Sequence, residues 1–343
     1  MTSDSGHWLL KVGTPLTRHL LEDRSERLDS DLRTLLLQIG FAAKLISREV
    51  NRAALVGKLG YTDEVNVQGE QVKQLDVWAN DVFVTALKDT HLVCSMVSEE
   101  MEEPLHFDRN CVPGSFIVCF DPVDGSSNLD GNGPVGTIFS VRRRQGQGRD
   151  HLAADTLRKG TEQVAAGYLM YGPSTVFVYT VGRGVHGFTF DQMLGEYLLS
   201  HPTMRIPQRG RIYSVNQGNY HRWHPETQRV IDYLSTPDKA TGRPYSLRYV
   251  GAMVADMHRT LLDGGLFMYP AEVGGGTKSQ GKLRLMYEAA PMAYVVEQAG
   301  GRASTGVERI LDIQPSSYHQ RVPLVIGSDQ DVALVEEFFR GQR

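Results

Sequence analysis

Glu99 and Glu100, followed by Asp121-Pro122-Val123-Asp124-Gly125-Ser126-Ser127-Asn128, are the residues whose types and spacing most directly specify chemistry. The apolar run Leu92 to Val97 predicts a buried strand that delivers the glutamates at its C-terminal end, and Phe116 to Phe120 predicts another that delivers Asp121. Carboxylates gathered at neighbouring strand ends repel one another and raise their own pKa values. Hard divalent cations, which favour oxygen ligands, remove that conflict. Pro122 is expected to stop its strand, making the Val123 carbonyl a further candidate ligand. Gly125 to Asn128 is small and rich in donors, which suits a turn whose N–H groups cradle a phosphate. Taken singly, Glu99 to Glu103 reads as a solvated acidic turn and Asp-Gly-Ser-Ser as an ordinary one. The joint arrangement points to metal-assisted phosphate ester chemistry.

The chain that must position these groups has 343 residues, 41% hydrophobic and 22% charged, as in a globular protein of one large domain or two ordinary ones. A formal charge of -4 argues against nucleic-acid binding. No apolar stretch approaches a membrane span, and the N-terminal residues lack the pattern of a signal peptide. Cys94, Cys111 and Cys119 are too few for a disulfide framework and are expected to be reduced packing residues. These features predict a cytoplasmic enzyme.

Apolar positions at helical spacing predict a helix from Leu32 to Val50, capped by Asp29, Ser30 or Asp31. Gly57 to Gly69 reads as a mobile loop, and Glu70 to Lys88 as a helix with Asp76 and Asn80 on one face. Strands are predicted at Thr137 to Val141, Val164 to Met170, Thr175 to Val181 and Val185 to Asp191, with a basic, Gly-rich hairpin from Arg142 to Lys159. The polar stretch His201 to Gly210 divides the chain into residues 1–205, which carry the metal and phosphate motifs, and residues 206–343. The second part begins with the strand Ile212 to Val215, with helices near Pro225 to Leu234, Ala252 to Leu262 and Tyr287 to Ala299. Such alternation indicates an α/β sandwich.

The second part supplies groups suited to a sugar phosphate. Asn216 and Tyr220 follow a strand, Arg248 and Tyr249 precede Gly251, Tyr269 ends a strand, and Lys282 and Arg284 follow the loop 274–278. Amides and phenols suit hydroxyls, while Lys and Arg supply charge for a second phosphate. Glu288 lies among Leu285, Met286, Ala289 and Ala290, where a lone carboxylate needs a partner, a metal being one.

With these residues assembled, the chain resembles class I fructose-1,6-bisphosphatase along nearly its whole length. The segments that carry the resemblance are Asn66 to Asp76, Val97 to Glu100, Phe120 to Asn128, Arg248 to Leu261 and Gly281 to Gly301. The Asp-Pro-x-Asp-Gly-Ser motif is shared with inositol monophosphatases, whereas the C-terminal sugar segments are specific. The resemblance implies a five-layer αβαβα fold of the inositol monophosphatase-like superfamily, a homotetramer, and two or three Mg²⁺ per subunit, with Mn²⁺ able to substitute. It implies metal ligands at Glu99, Glu100, Asp121, the Val123 carbonyl, Asp124 and Glu288. Asp124, Gly125, Ser126 and Ser127 would hold the phosphate to be cleaved; Asn216, Tyr220, Tyr249, Tyr269 and Lys282 would hold the 6-phosphate and furanose ring; Arg248 would reach a neighbouring subunit's site. Residues 51–71 would form a loop that closes over the site. Mg²⁺ would activate water and clamp the phosphoryl oxygens, and Asp76 with Glu100 would take up the proton.

Departures from the family carry their own expectations. Where family members bind AMP through a threonine-rich helix start and a Lys-Tyr pair, this chain has Asp29-Ser30-Asp31-Leu32-Arg33 and Ser115-Phe116; only Arg143 matches an arginine of that pocket. Acids there predict poor AMP inhibition. The chloroplast enzymes' cysteine-bearing insertion has no counterpart in Arg142 to Lys159, so thioredoxin control through it is not expected. Sedoheptulose-1,7-bisphosphatase activity, alone or as a second activity, is the nearest rival. A silent sugar-phosphate sensor would not need the carboxylates, and an inositol-type monophosphatase would leave Lys282 and Tyr269 without a second phosphate. The residues do not distinguish gluconeogenesis from the Calvin cycle.

Overall fold

The strand Phe116–Asp124 is buried along its entire length, as is Val93–Ser98 beside it, because both faces of their sheet are covered by helices. In the computed structural model, which describes residues 11–55, 60–65, 71–107, 111–146, 151–274 and 277–343, these strands belong to an eight-stranded sheet. From one edge its order is Glu196–His201, His186–Asp191, Thr175–Thr180, Ala165–Tyr171, Val135–Arg143, Phe116–Asp124, Val93–Ser98 and Leu105–His106. The Val93–Ser98 and Phe116–Asp124 pair is parallel, with Ser98 opposite Phe120, so both chains emerge at the same end. A smaller five-stranded sheet runs Ser246–Leu247, Ile212–Ser214, Leu266–Tyr269, Leu324–Gly327 and Arg302–Ser304.

Three apolar cores separate the layers. Helices Ser30–Val50 and Gln74–Lys88 cover the outer face of the large sheet, with Leu35, Ile39, Phe83, Phe120 and Phe139 in one core. Phe83 stacks on Phe120 at 4.5 Å; burying such a ring contributes about 2–3 kcal/mol. The middle core joins Ile138 and Tyr168 of the large sheet to Phe267 and Ile326 of the small one through helices Met253–Asp263 and Ala290–Gln298. Helices Pro225–Ser235 and Asp329–Phe339 close the outer face of the small sheet around Leu234, Leu266 and Val335. The result is the expected five-layer αβαβα sandwich.

Several local expectations are corrected. Pro122 does not end its strand: pairing with Val135–Arg143 shifts register between Asp121 and Asp124, a bulge that accommodates the missing N–H. The Thr137 hydroxyl donates to the Pro122 carbonyl at 2.7 Å. The helix expected from Glu70 begins at Gln74, since Lys73 is extended and caps it while Gln71–Lys73 pairs with a strand at Tyr61–Val65. Residues 56–59 and 66–70 of the predicted loop lie outside the described residues. The connection from Arg142 to Lys159 contains a short helix, Leu152–Thr156. Cys94 and Cys111 are joined in a disulfide, because the chain returns antiparallel beside Cys94 through Leu105–His106; Cys119 alone is free, and it is buried. No described helix is long and apolar enough to cross a membrane.

Candidate active site

The parallel strand pair ends at a cleft of about 680 Å³ between the two halves of the chain. One wall carries Asp76, Glu99, Glu100, Asp121, Val123, Asp124 and the turn Gly125 to Asn128; the other carries Asn216, Tyr249, Tyr269, Lys282, Arg284 and Glu288. Carboxylate oxygens of Asp121, Asp124 and Glu288, all buried, lie within 4.8 Å of one another.

Each acid is aimed by its local fold. Asp121 accepts the Val123 N–H at 3.0 Å, which fixes its rotamer inside the bulge. Asp124 accepts the Val254 N–H at 2.8 Å, so the start of helix Met253–Asp263 is drawn to the site with its positive end inward. Glu288 sits in a five-residue π-helical turn, Leu285–Ala289, and accepts the Arg284 N–H at 2.6 Å. Such turns recur at functional sites because they redirect a side chain. Asp76, in the first turn of helix Gln74–Lys88, accepts the Lys73 N–H at 3.1 Å. Gly125 adopts φ 75°, and a Cβ there would stand 2.4 Å from that of Ala252; only glycine allows this close approach of the turn to the helix start. Ser126–Asn128 then forms a single 3₁₀ turn.

Electrostatics follow from this crowding. Burial, with added repulsion from Glu99, raises Asp76 to about 7, against the Lys73 N–H that lowers it. Burial raises Asp124 to about 7 as well, against the helix N–H groups that lower it. Glu288 is raised to about 8 by burial, even though Arg284 opposes the shift. Asp121 is raised well above the carboxylate range by burial and by Glu99, Asp124 and Glu288. Close, buried, oxygen-only donors that resist ionising alone fit a hard divalent cation.

On the opposite wall, burial and the neighbouring Tyr269 raise the Tyr249 phenol, and Lys282 partly offsets this. Lys282 Nζ stands 5.7 Å from the centre of the Tyr269 ring. Two phenols and an ammonium thus converge in one corner. The turn that presents Tyr249 is held by Asp256, a fully buried carboxylate that accepts N–H groups of Val250 (3.0 Å) and Gly251 (3.2 Å) and pairs with Arg259 (2.6 Å). Asn128 Nδ2 donates to the Val250 carbonyl at 3.3 Å, tying this turn to the one at Gly125 to Asn128.

One expected contact lies elsewhere. Tyr220 is not among the cleft residues; its hydroxyl donates to Asp232 at 2.8 Å. Arg248, expected to reach a neighbouring subunit's site, is exposed, and its guanidinium donates to the Leu247 carbonyl at 2.9 Å. Arg284, read as a phosphate contact, is instead buried between Glu99 (2.7 Å) and Glu288 (3.7 Å). Its i, i+4 spacing to Glu288 was the available signal. Asp256 was missed altogether; an acid in the first turn of a helix is too common to single out.

These groups generate two expectations. A carboxylate raised on folding binds more protons in the native state, so its contribution is complete below the unfolded pKa and is lost as pH rises through the folded one. Metal-free protein is therefore expected to lose thermal stability from about pH 5 to pH 8, and divalent metal to restore it at the alkaline end. Calorimetric melting with chelator and with Mg²⁺ at both pH values checks this; parallel curves would count against it. Asp256→Asn is expected to raise KM at least about tenfold while changing kcat less, because it loosens a turn that lines the cleft. Steady-state kinetics separate the two constants.

Comparison with known proteins agrees with this geometry. The fructose-1-6-bisphosphatase N-terminal domain family matches residues 14–202, and the C-terminal domain family matches residues 206–340. The chain is 50% identical over 332 residues to the class 1 fructose-1,6-bisphosphatase of Trichodesmium erythraeum, covering 96% of this chain and 92% of that one. It is 51% identical to that of Chlorobium phaeobacteroides, covering 96% and 98%. The crystal structure of Leishmania major fructose-1,6-bisphosphatase in holo form superposes with a TM-score of 0.89 at 40% identity, covering 96% of this chain and all of that one. An acidic cleft built from both halves, matched by both family domains, makes this chain a member of the class 1 fructose-1,6-bisphosphatase family.

Proposed function

We infer that the chain hydrolyses the 1-phosphate of fructose 1,6-bisphosphate, releasing fructose 6-phosphate and inorganic phosphate, with Mg²⁺ as its metal. The observation that carries this is the pairing, across one cleft, of the Asp121–Asp124–Glu288 cluster beside the Gly125 turn with the Tyr249–Tyr269–Lys282 corner. One end suits a reacting phosphate and the other a second phosphate that is only held.

Asp121, Asp124 and Glu288, with Glu99, Glu100 and the Val123 carbonyl, would hold the ions. When bound, Mg²⁺ supplies charge that acidifies water and offsets the phosphoryl oxygens. Asp124 to Ser127 orient the 1-phosphate through backbone and hydroxyl donors. Asp76, poised near neutrality by burial, accepts the proton of the attacking water together with Glu100. Asn216, Tyr249, Tyr269 and Lys282 bind the ring and the 6-phosphate, and so fix the distance between the two ends. Residues 1–205 then act as the metal and phosphate domain, and 206–343 as the sugar domain. Arg248, exposed beside this cleft, is assigned to a neighbouring subunit's site in a cytoplasmic homotetramer. Asp29, which caps helix Ser30–Val50 by accepting the Leu32 N–H, also pairs with Arg143. A carboxylate already engages the arginine that an AMP phosphate would need.

Phosphate release from fructose 1,6-bisphosphate and sedoheptulose 1,7-bisphosphate, with and without Mg²⁺, tests the reading; release from neither would overturn it. Asp76→Ala or Glu100→Ala is expected to lower kcat by about 10²–10⁴-fold with the fold intact by circular dichroism. AMP at micromolar concentration is expected to leave the initial rate unchanged; marked inhibition at that level contradicts the Asp29–Arg143 argument.

A further inference from the structure

We propose that Cys94 and Cys111 form a redox-reversible pair whose oxidation braces the acidic turn and tightens its hold on divalent metal. The inference rests on the assignment of Glu99 and Glu100 to the metal site. The two Cα atoms lie 4.6 Å apart, and the 17-residue separation between the cysteines contains both glutamates. This excursion is held at the edge of the sheet by the two-residue strand Leu105–His106, by the Phe107 N–H on the Cys94 carbonyl at 2.8 Å, by His106 against the Ser95 hydroxyl at 3.0 Å and by His319 against the Glu102 carbonyl at 3.0 Å. A strand pairing so short restrains little, and the disulfide adds a covalent closure to these contacts.

The surroundings suit thiol–disulfide exchange. Cys94 is fully buried, whereas Cys111 is partly exposed, so an incoming dithiol meets Cys111 Sγ first. Its thiolate bonds to Cys111 Sγ as the Cys111–Cys94 bond breaks, and the electron pair leaves on Cys94 Sγ. The second thiol of the reductant then displaces Cys111. The products are an oxidised dithiol and two cysteines, each of which takes up a proton. Arg144, whose side chain is 1% exposed, directs Nη1 to Cys94 Sγ at 3.6 Å, while its Nε lies 3.8 Å from Asp155. A guanidinium at that sulfur stabilises the departing thiolate and speeds exchange. Cys119 stays outside this chemistry: it is buried, and burial raises its thiol.

If oxidation pre-orders the turn, metal binding and disulfide formation must favour each other by the same factor. The full chain is equilibrated in buffers of oxidised and reduced dithiothreitol, with and without Mg²⁺, and its thiols are alkylated under denaturing conditions and counted by mass. One labelled thiol is expected under oxidising conditions and three under reducing conditions, with Mg²⁺ shifting the midpoint toward the disulfide. Calorimetric titration is expected to show Mg²⁺ binding about fivefold weaker to reduced protein, at the low end of ordinary coupling between sites. Cys111→Ser is expected to match reduced wild type and ignore dithiol. Three labelled thiols under oxidising conditions, or equal Mg²⁺ affinity in both redox forms, would overturn the proposal. The thiol count needs no substrate and so stands apart from the assay of phosphate release.

Discussion

Repulsion among buried carboxylates is the constraint on which the rest of this structure depends. Asp121, Asp124 and Glu288 are all but sealed from water, and each resists ionisation because burial removes its hydration and its neighbours carry the same charge. A protein keeps such an arrangement only where something of opposite charge completes it. The sheet makes the arrangement rigid: parallel pairing sends two strands out at one end, and the bulge at Pro122 holds Asp121 and Asp124 on the same side of the opening.

The same constraint explains why the site lies on the seam between the halves. Residues before the polar boundary supply most of the acids and the Gly125 turn, but Glu288 comes from beyond it, and Asp124 caps a helix from beyond it. Asn128 adds a bond to the Val250 carbonyl. The middle core, with residues from both sheets, sets the spacing between the walls. Separation of the halves would therefore dismantle the acidic cluster and the cleft together.

Much of this was legible from local pattern. Apolar runs ending in acids placed the strands Val93–Ser98 and Phe116–Asp124, and their shared direction followed from the need to bring the acids together. Asp29 was readable as a cap and is one. What could not be read depended on partners distant in sequence. Tyr220 has the same local signal as Asn216, yet its turn aims it at Asp232. Asp256 gains its role only because Val250 and Gly251 fold back over it. The Cys94–Cys111 link depends on an edge strand of two residues, far below the length at which alternation becomes a signal.

Arg284 sharpens the charge argument. Its guanidinium reaches both Glu99 and Glu288, and it stays charged at any relevant pH. It lowers the proton affinity of Glu288, yet that group still rises to about 8. One fixed cation is therefore insufficient for this cluster. With Glu99, Asp121, Asp124 and Glu288 all ionised, a single guanidinium would leave three negative charges in excess, before Glu100 and Asp76 are counted. Full ionisation of the cluster therefore calls for positive charge beyond that of Arg284. Arg284 engages Glu99 and Glu288, whereas Asp121 and Asp124 are met by the backbone N–H groups of Val123 and Val254, so the fixed positive charge sits on one side of the cluster.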